Sequence, residues 1–375
     1  MRTGTTRGLI RCPRGRALTL CLVLLAAILG TMATRAQDDL RCLGCHGKPG
    51  FRKTLPSGQV LDLFVDPTPL RLSVHKDLSC VQCHADVNEV PHTARPQRVN
   101  CKRCHYEGNT MGAPQTSKYV EFEKSVHNLA LLAGNTKAPL CQDCHGGHFI
   151  LPGSDPRSRV SRRHVPQTCG TCHIQIYGQY MESVHGKALT MGNKDAPVCT
   201  DCHGEHNIQG PKVASSSVNP ANVANTCARC HSKIVIMKKY GINAEQVSTY
   251  RNSFHGIANE FGVLKAANCA SCHTAHNILP PDDPRSSVNP KNIPKTCGRC
   301  HPGANANFAK GRIHVDPEDR SAGIVYWVAL GFKILTLSTL AGLFIHIGLD
   351  LFRQVRARKS KEAVLPARPT EENEP

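Results

Sequence analysis

The sequence predicts a mostly irregular chain with short α-helices packed on covalently bound groups, plus one C-terminal transmembrane helix. Three observations carry that expectation. Eighteen of the 20 cysteines fall in nine Cys-x-x-Cys-His motifs. A unit containing two such motifs is repeated three times along the chain. A strongly apolar stretch occupies residues 322–352. Aromatic residues make up only 5% of the 375, and regular strand or helix periodicity is scarce through the middle. An ordinary apolar core is therefore not what this composition encodes.

The motifs are Cys42/Cys45/His46, Cys80/Cys83/His84, Cys101/Cys104/His105, Cys141/Cys144/His145, Cys169/Cys172/His173, Cys199/Cys202/His203, Cys227/Cys230/His231, Cys269/Cys272/His273 and Cys297/Cys300/His301. Cys-x-x-Cys-His is the attachment signal of c-type haem. On a helical turn, positions i, i+3 and i+4 share a face. Two cysteines can then hold the two vinyl-derived carbons of a porphyrin while the histidine meets its iron. Nine motifs predict nine covalent haem c groups, and so a multihaem cytochrome c. Short helices are expected to start at the motifs. The porphyrins themselves would supply most of the buried apolar surface.

Tetrahedral zinc is excluded on pattern: it takes cysteine pairs two at a time, and it does not require a histidine after every second cysteine. The remaining cysteines, Cys12 and Cys21, lie in the N-terminal segment. That segment has Arg2, Arg7, Arg11, Arg14 and Arg16, the apolar run "ALTLCLVLLAAILG" and then "TRA" at 34–36. This reads as a secretory signal peptide over residues 1–36. An uncleaved anchor and lipoprotein processing at Cys21 are the weaker readings. Export suits c-type haem, which is attached outside the bacterial cytoplasm.

The formal charge of +18 invites a nucleic-acid reading, but between Asp38 and Arg320 there are 33 Lys+Arg against 23 Asp+Glu. Nine haems bring two propionates each, and a ferric core with two imidazoles returns one positive charge. The loaded domain is then close to neutral. The excess basic residues neutralise propionates, and no nucleic-acid motif is present.

Self-similarity organises the middle of the chain. "SVHNLALLAGNTKAPLCQDCHGGH" from Ser125 recurs as "SVHGKALTMGNKDAPVCTDCHGEH" from Ser183 and "SFHGIANEFGVLKAANCASCHTAH" from Ser253. Each copy is followed by a second motif. Equivalent positions are separated by 58 and then 70 residues. The two-haem repeats lie near 125–173, 183–231 and 253–301, joined by Pro- and Ser-containing turns. Residues 37 to 118 hold three further motifs. Together 37–321 form the expected haem domain.

Nine histidines are proximal by motif. His148, His206 and His276 form one equivalent set, three residues beyond a proximal histidine. His127, His185 and His255 form another, which His75 and His314 resemble. His92 reads as a stretched member of the first set or as a surface histidine. His164 is the odd one, because its repeat equivalents are Asn222 and Asn292, and it reads as a surface residue. Without it, nine candidates match nine irons and point to bis-histidine ligation throughout. A distal ligand approaches the opposite face of the porphyrin. His206, on the same helix face as His203, is therefore expected to serve a neighbouring haem and staple the two together. Met111, Met181, Met191 and Met237 do not repeat and are expected to pack rather than ligate.

About 22 predominantly apolar residues from Val328 to Leu349 suffice to cross a bilayer, with Tyr326 and Trp327 at its interface. Arg353, Arg356, Arg358, Lys359 and Lys361 follow, so residues 353–375 read as a cytoplasmic basic tail and the haem domain as periplasmic. The expected location is a bacterial inner membrane. Lys333 is expected to snorkel outward. His346 within the span reads as a ligand to a b-type haem shared with a partner, as a contact to a quinone or lipid head group, or as a histidine near the cytoplasmic interface.

The Ser-Val-His-Gly and Cys-x-x-Cys-His-Gly-x-His signatures resemble those of bacterial multihaem cytochromes c with doubled motifs, over roughly residues 40–315. The tail "FIHIGLDLFR" is similar to the helix that joins such domains to a dihaem cytochrome b module in quinone-linked b/c complexes. The resemblance implies electron transfer between the membrane quinone pool, through a separate cytochrome b or other quinone-interacting subunit, and periplasmic redox proteins. It implies no catalytic residues. The competing reading is a multihaem reductase acting on nitrite, hydroxylamine or a sulfur oxyanion at one open haem, with the first motif the weakest point of the ligand tally.

Overall fold

The computed structural model describes residues 39–92, 95–311 and 313–362. The signal peptide and the end of the basic tail lie outside the described residues. Two compact units divide the rest: 39–227 together with 268–296, and 228–267 together with 297–362. The division falls inside the third repeat.

Short helices and turns make up both units. The buried apolar side chains are few and mostly small, such as Ala138, Leu151, Ala196 and Val198. Meanwhile Leu132, Ile174 and Met191 stand more than two thirds exposed. Apolar side chains left in water with so little protein core fit a fold whose apolar mass is not protein.

Helices that begin on a cysteine are found at the first motif of each repeat: Cys141–His145, Cys199–His203 and Cys269–His273. Local chemistry fixes them. Leu140 and Val198 take up extended backbone, and their N–H groups donate to Asp143 Oδ2 (2.7 Å) and Asp201 Oδ2 (2.6 Å). Asn268 and Ser271 do the same job in the third copy. This reciprocal capping satisfies donors that the first turn leaves open. Gly146 and Gly204 then end the turn at φ of 90° and 79°, where only glycine is unstrained. The third copy places Thr274 there at φ 65°.

The second motifs depart from the expectation. Their helices, Val165–Gly170, Val223–His231 and Ile293–Gly298, begin four residues before the first cysteine. Pro166, in the first turn, needs no N–H partner there and so permits the earlier start. The motif remains one helical turn, since His173 and His301 donate their backbone N–H to Cys169 O (3.0 Å) and Cys297 O (2.9 Å).

Repeats are stapled through backbone hydrogen bonds. Val74 N–H donates to Ile150 O (2.9 Å), Val126 to Ile208 O (2.8 Å) and Val184 to Ile278 O (2.9 Å). Each bond joins the Ser-Val-His segment of one repeat to the His-x-Ile segment of the next. Ser125 and Ser183 are fully buried at these joints and cap the following helices. The N-terminal region adds one antiparallel hairpin, Arg52–Thr54 with Val60–Asp62.

The C-terminal helix Ile324–Glu362 is long and apolar enough over 324–360 to cross a membrane. Its 39 residues extend about 58 Å, so it outreaches a hydrocarbon core of about 30 Å. Lys333 Nζ pairs with Glu318 Oε1 at 3.3 Å, outside the N-terminal end of the span, as the snorkelling expectation requires.

Candidate haem sites

Seven motif histidines each face a second imidazole, and every one of these partners is a distal candidate. The ring centres are 6.1 Å apart for His46 and His92, 5.8 Å for His105 and His75, and 6.2 Å for His84 and His148. They are 6.0 Å apart for His145 and His206, and 6.3 Å for His173 and His127. The distance is 6.0 Å for both His203 with His276 and His301 with His255. His185, His231, His273 and His314 are engaged as well.

Two metal–nitrogen bonds of about 2.0–2.1 Å, plus roughly 1.1 Å from each nitrogen to its ring centre, require centres roughly 6.2 Å apart. The observed 5.8–6.3 Å leaves room for one metal atom between the rings and for no protein side chain. The rings do not touch, so direct stacking does not explain the spacing. Among the described residues no cluster of three or more His, Cys, Asp or Glu side chains could hold an ion alone. Two facing imidazoles beside a cysteine pair are instead the donor set of a six-coordinate haem iron, and the residues present fit that group.

The electrostatics agree. Burial, and secondarily the neighbouring imidazole, pushes His75, His127 and His255 below the ordinary histidine pKa. Burial likewise lowers His84, His145, His148, His203, His206, His231, His276 and His314. A neutral ring is the form that binds a metal. His46 donates from Nδ1 to Leu63 O (2.8 Å), while Phe51 meets its ring edge-on at 5.3 Å. The hairpin thereby fixes the tautomer and turns Nε2 outward. Thr249 Oγ1 lies 3.1 Å from His314 Nδ1 and does the same there. Nδ1 of His84 and His206 is buried with no protein partner, available to a group that is not protein.

The pairing follows a rule the sequence did not display. His148, His206 and His276 each reach back to the first motif of the preceding repeat, or to its N-terminal counterpart: His84, His145 and His203. His206 thus stands opposite a motif histidine other than His203. His127 and His255 instead face the histidine of the second motif in their own repeat. His92 faces His46, in line with its reading as a ligand.

Successive motifs are also neighbours in space. Burial pushes the Cys80 thiol up to about 12, with Asp39 and Cys42 hydrogen-bonded beside it. Cys141 accepts from Cys101 and falls to about 6, and Cys169 accepts from Cys199 and falls to about 7. Cys83 lies in electrostatic reach of Cys104, and Cys144 of Cys169. From the first motif to the sixth, each attachment point adjoins the next in chain order.

One part of the expected attachment site differs from a thiol pair closed in by protein. Among the second cysteines, Cys45, Cys172 and Cys300 are exposed, while Cys202, Cys230 and Cys272 are half-buried, as is Cys227. None of the eighteen described cysteines is in a disulfide. Each motif is a single helical turn with its second cysteine at the fourth position. At Cys172 the contact is Thr171 Oγ1, 4.0 Å from its sulfur. What the protein does fix is the main chain. Ser217 Oγ donates to Cys202 O and Ser287 Oγ to Cys272 O (2.5 Å). Lys48 N–H donates to Cys45 O (3.2 Å), Lys233 N–H to Cys230 O (2.9 Å) and Cys300 N–H to Cys297 O (3.1 Å). Pinned backbone beneath accessible sulfur suits thioether attachment.

His164 faces none of the motif histidines among the seven imidazole pairs above. Its Nδ1 lies 3.1 Å from Ser158 O, and Asn222 and Asn292 donate from Nδ2 to Ser216 O and Ser286 O at 2.9 Å. The three side chains hold equivalent carbonyls, which explains why His and Asn interchange there. Met237 is packed as expected, whereas Met111 and Met191 are exposed.

Comparison with known proteins agrees with the geometry. Residues 191–235, spanning the sixth and seventh motifs, match the doubled CXXCH motif family. The chain is 26% identical over 162 residues to the cytochrome c-type protein NrfB of Escherichia coli, covering 41% of this chain and 75% of that protein. No solved structure matches significantly. The motifs and these likenesses together support a multihaem c-type cytochrome, a kind of electron-transfer protein.

Proposed function

We propose that the chain carries nine haem c groups, all bis-histidine, and relays electrons between the membrane quinone pool and periplasmic redox proteins. The observation that supports this most is the run of facing imidazole pairs threaded through consecutive motifs. Haem supplies one-electron ferric–ferrous chemistry. The cysteine pairs hold each group in place, and the motif histidines hold one face of each iron. His75, His92, His127, His148, His185, His206, His255, His276 and His314 hold the opposite faces. The staples at Val74, Val126 and Val184 keep neighbouring sites at fixed separation, which tunnelling requires.

The anchor is the C-terminal helix. The basic residues after it favour a cytoplasmic tail and a periplasmic haem domain, in a bacterial inner membrane. A cytochrome b-type or other quinone-interacting subunit would share the bilayer with this helix, and His346 would ligate a b-type haem at the contact. The reductase alternative needs an iron with an open position. At the first motif, its most favourable place, His92 standing opposite His46 supports a closed iron instead.

The test is purification of the full chain from membranes in mild detergent. A b-type haem spectrum alongside the c-type one, lost in His346→Leu, and reduction of the c-type haems by a quinol are expected. Purified chain with c-type haem alone, inert to quinols, refutes the quinone-linked reading.

A further inference from the structure

The third repeat differs from the second in one respect that ligation does not explain. Lys187, Met191, Asn193 and Lys194 of the second repeat become Ile257, Phe261, Val263 and Leu264 in the third. Phe261 is 85% exposed, Leu264 56%, Val263 50% and Ile257 47%. Lys187, Met191 and Lys194 are exposed too. The helices correspond, Val184–Thr190 and Phe254–Glu260, and both are capped by a serine that accepts from the third residue on. The second repeat keeps Lys187 and Lys194 at these positions, so holding a haem does not require apolar residues there.

Ile257 and Phe261 lie four residues apart, on one side of the helix. Val263 is drawn back under them by its N–H bond to Ala258 O (3.0 Å). The segment that leads into this repeat is longer, since 70 residues separate it from the second repeat against 58 between the first two. The extra length carries helix Ile234–Lys239, on which Ile234 is 69% and Val235 85% exposed. Lys233, Lys238, Lys239, Arg251 and Lys265 flank these segments in sequence, with Glu245 and Glu260 the only acids in 228–267. Tyr240 lies beside them under Lys239 Nζ, 5.1 Å from its ring. Exposed apolar side chains with lysines and a tyrosine close by in sequence are the composition of a surface resting in lipid headgroups.

These segments belong to the unit that holds the C-terminal helix. Thr249, four residues before Ser253, lies 3.1 Å from His314. Only ten residues separate His314 from Ile324, the first residue of the span, and they turn through Asp319 N–H to Asp316 O and Gly323 N–H to Arg320 O. Ten residues reach about 35 Å at full extension, and these are not extended.

We propose that Ile257, Phe261, Val263 and Leu264, with Ile234 and Val235, rest on the anionic phospholipid surface of the bilayer that the C-terminal helix crosses. This rests on the reading of that helix as a membrane anchor. The third repeat is then a foot that sets the height and tilt of the neighbouring sites above the membrane.

The full chain in nanodiscs containing phosphatidylglycerol and a photoactivatable phospholipid tests it. After illumination, peptide mass spectrometry is expected to find lipid adducts within 324–352, within 254–264 and within 234–242, and none within 184–194. A second protein carries Ile257→Lys, Phe261→Met, Val263→Asn and Leu264→Lys, the residues that the second repeat accommodates on the same frame. It is expected to lose the 254–264 adducts while keeping its haem content. Adducts on 324–352 with none on 254–264 overturn the proposal and leave the anchor standing. Absence from 324–352 overturns the anchor itself. Adducts at 254–264 that persist in the four-residue variant also overturn the proposal.

Discussion

Gly256→Ala probes how closely backbone sterics control an iron ligand. A Cβ at Gly256 would lie 2.1 Å from Tyr250 O and 2.7 Å from Arg251 Cα. Neither atom can yield easily. Tyr250 is buried, its hydroxyl donates to Ala267 O (2.9 Å), and its carbonyl accepts from Ser253 Oγ (2.6 Å). Relief needs a shift of about 1 Å in helix Phe254–Glu260, an overpacking that costs about 1–3 kcal/mol. His255 is the second residue of that helix and faces His301 at 6.0 Å. A metal–nitrogen bond of about 2.0 Å does not survive such a stretch. Either the ligand leaves one iron or the cost appears in stability. The ferric protein is assayed by EPR and by thermal unfolding. The variant is expected to show one high-spin iron among nine or a lowered unfolding midpoint. Gly178→Ala, with nothing within 4 Å of its Cβ, is the control and should gain about 0.5–1 kcal/mol. A Gly256→Ala protein that is wholly low-spin and as stable as the parent refutes the reasoning.

His206→Met should leave eight haems unchanged and raise the reduction potential of the haem at His145, read by spectroelectrochemical titration; an unaltered set of potentials contradicts the pairing. His164→Asn should be neutral to within about 0.5 kcal/mol, whereas His164→Leu should cost about 1 kcal/mol for the lost hydrogen bond to Ser158 O, with the low-spin spectrum intact in both. Burial holds His145, His148 and His206 below the ordinary value of 6.5. The unfolded chain therefore binds more protons, so their stability contribution is complete above about pH 6.5 and is lost as pH falls towards their depressed values. Denaturant midpoints should be lower at pH 5 than at pH 7.5, and equal midpoints count against burial of these rings.

Much of the site was legible because it is written in residue identity and period. Cysteine spacing gives attachment points, and the 58- and 70-residue intervals sort distal histidines from His164. Spacing says nothing of how far protein covers each sulfur, so the exposure of Cys45, Cys172 and Cys300 had no signal in the motifs. Pairing was harder to read, because it joins residues from different repeats through backbone bonds such as Val126 to Ile208. Only the recurrence of Ile two residues after His148, His206 and His276 hinted at that joint. The hairpin that orients His46 has short, exposed strands with no alternating apolar pattern. Helix starts at the second motifs were misplaced because residues ahead of the cysteines set them, with Pro166 and Pro294 in the first turn of two and Ala224 in the third. The steric role of Gly186 and Gly256 needs the preceding carbonyl in place before it can be seen.

The most direct measurement is the intact mass of the mature chain purified from membranes of a host that attaches c-type haem. Nine covalent haem groups on one polypeptide is the predicted result. A uniform product carrying eight or fewer contradicts it.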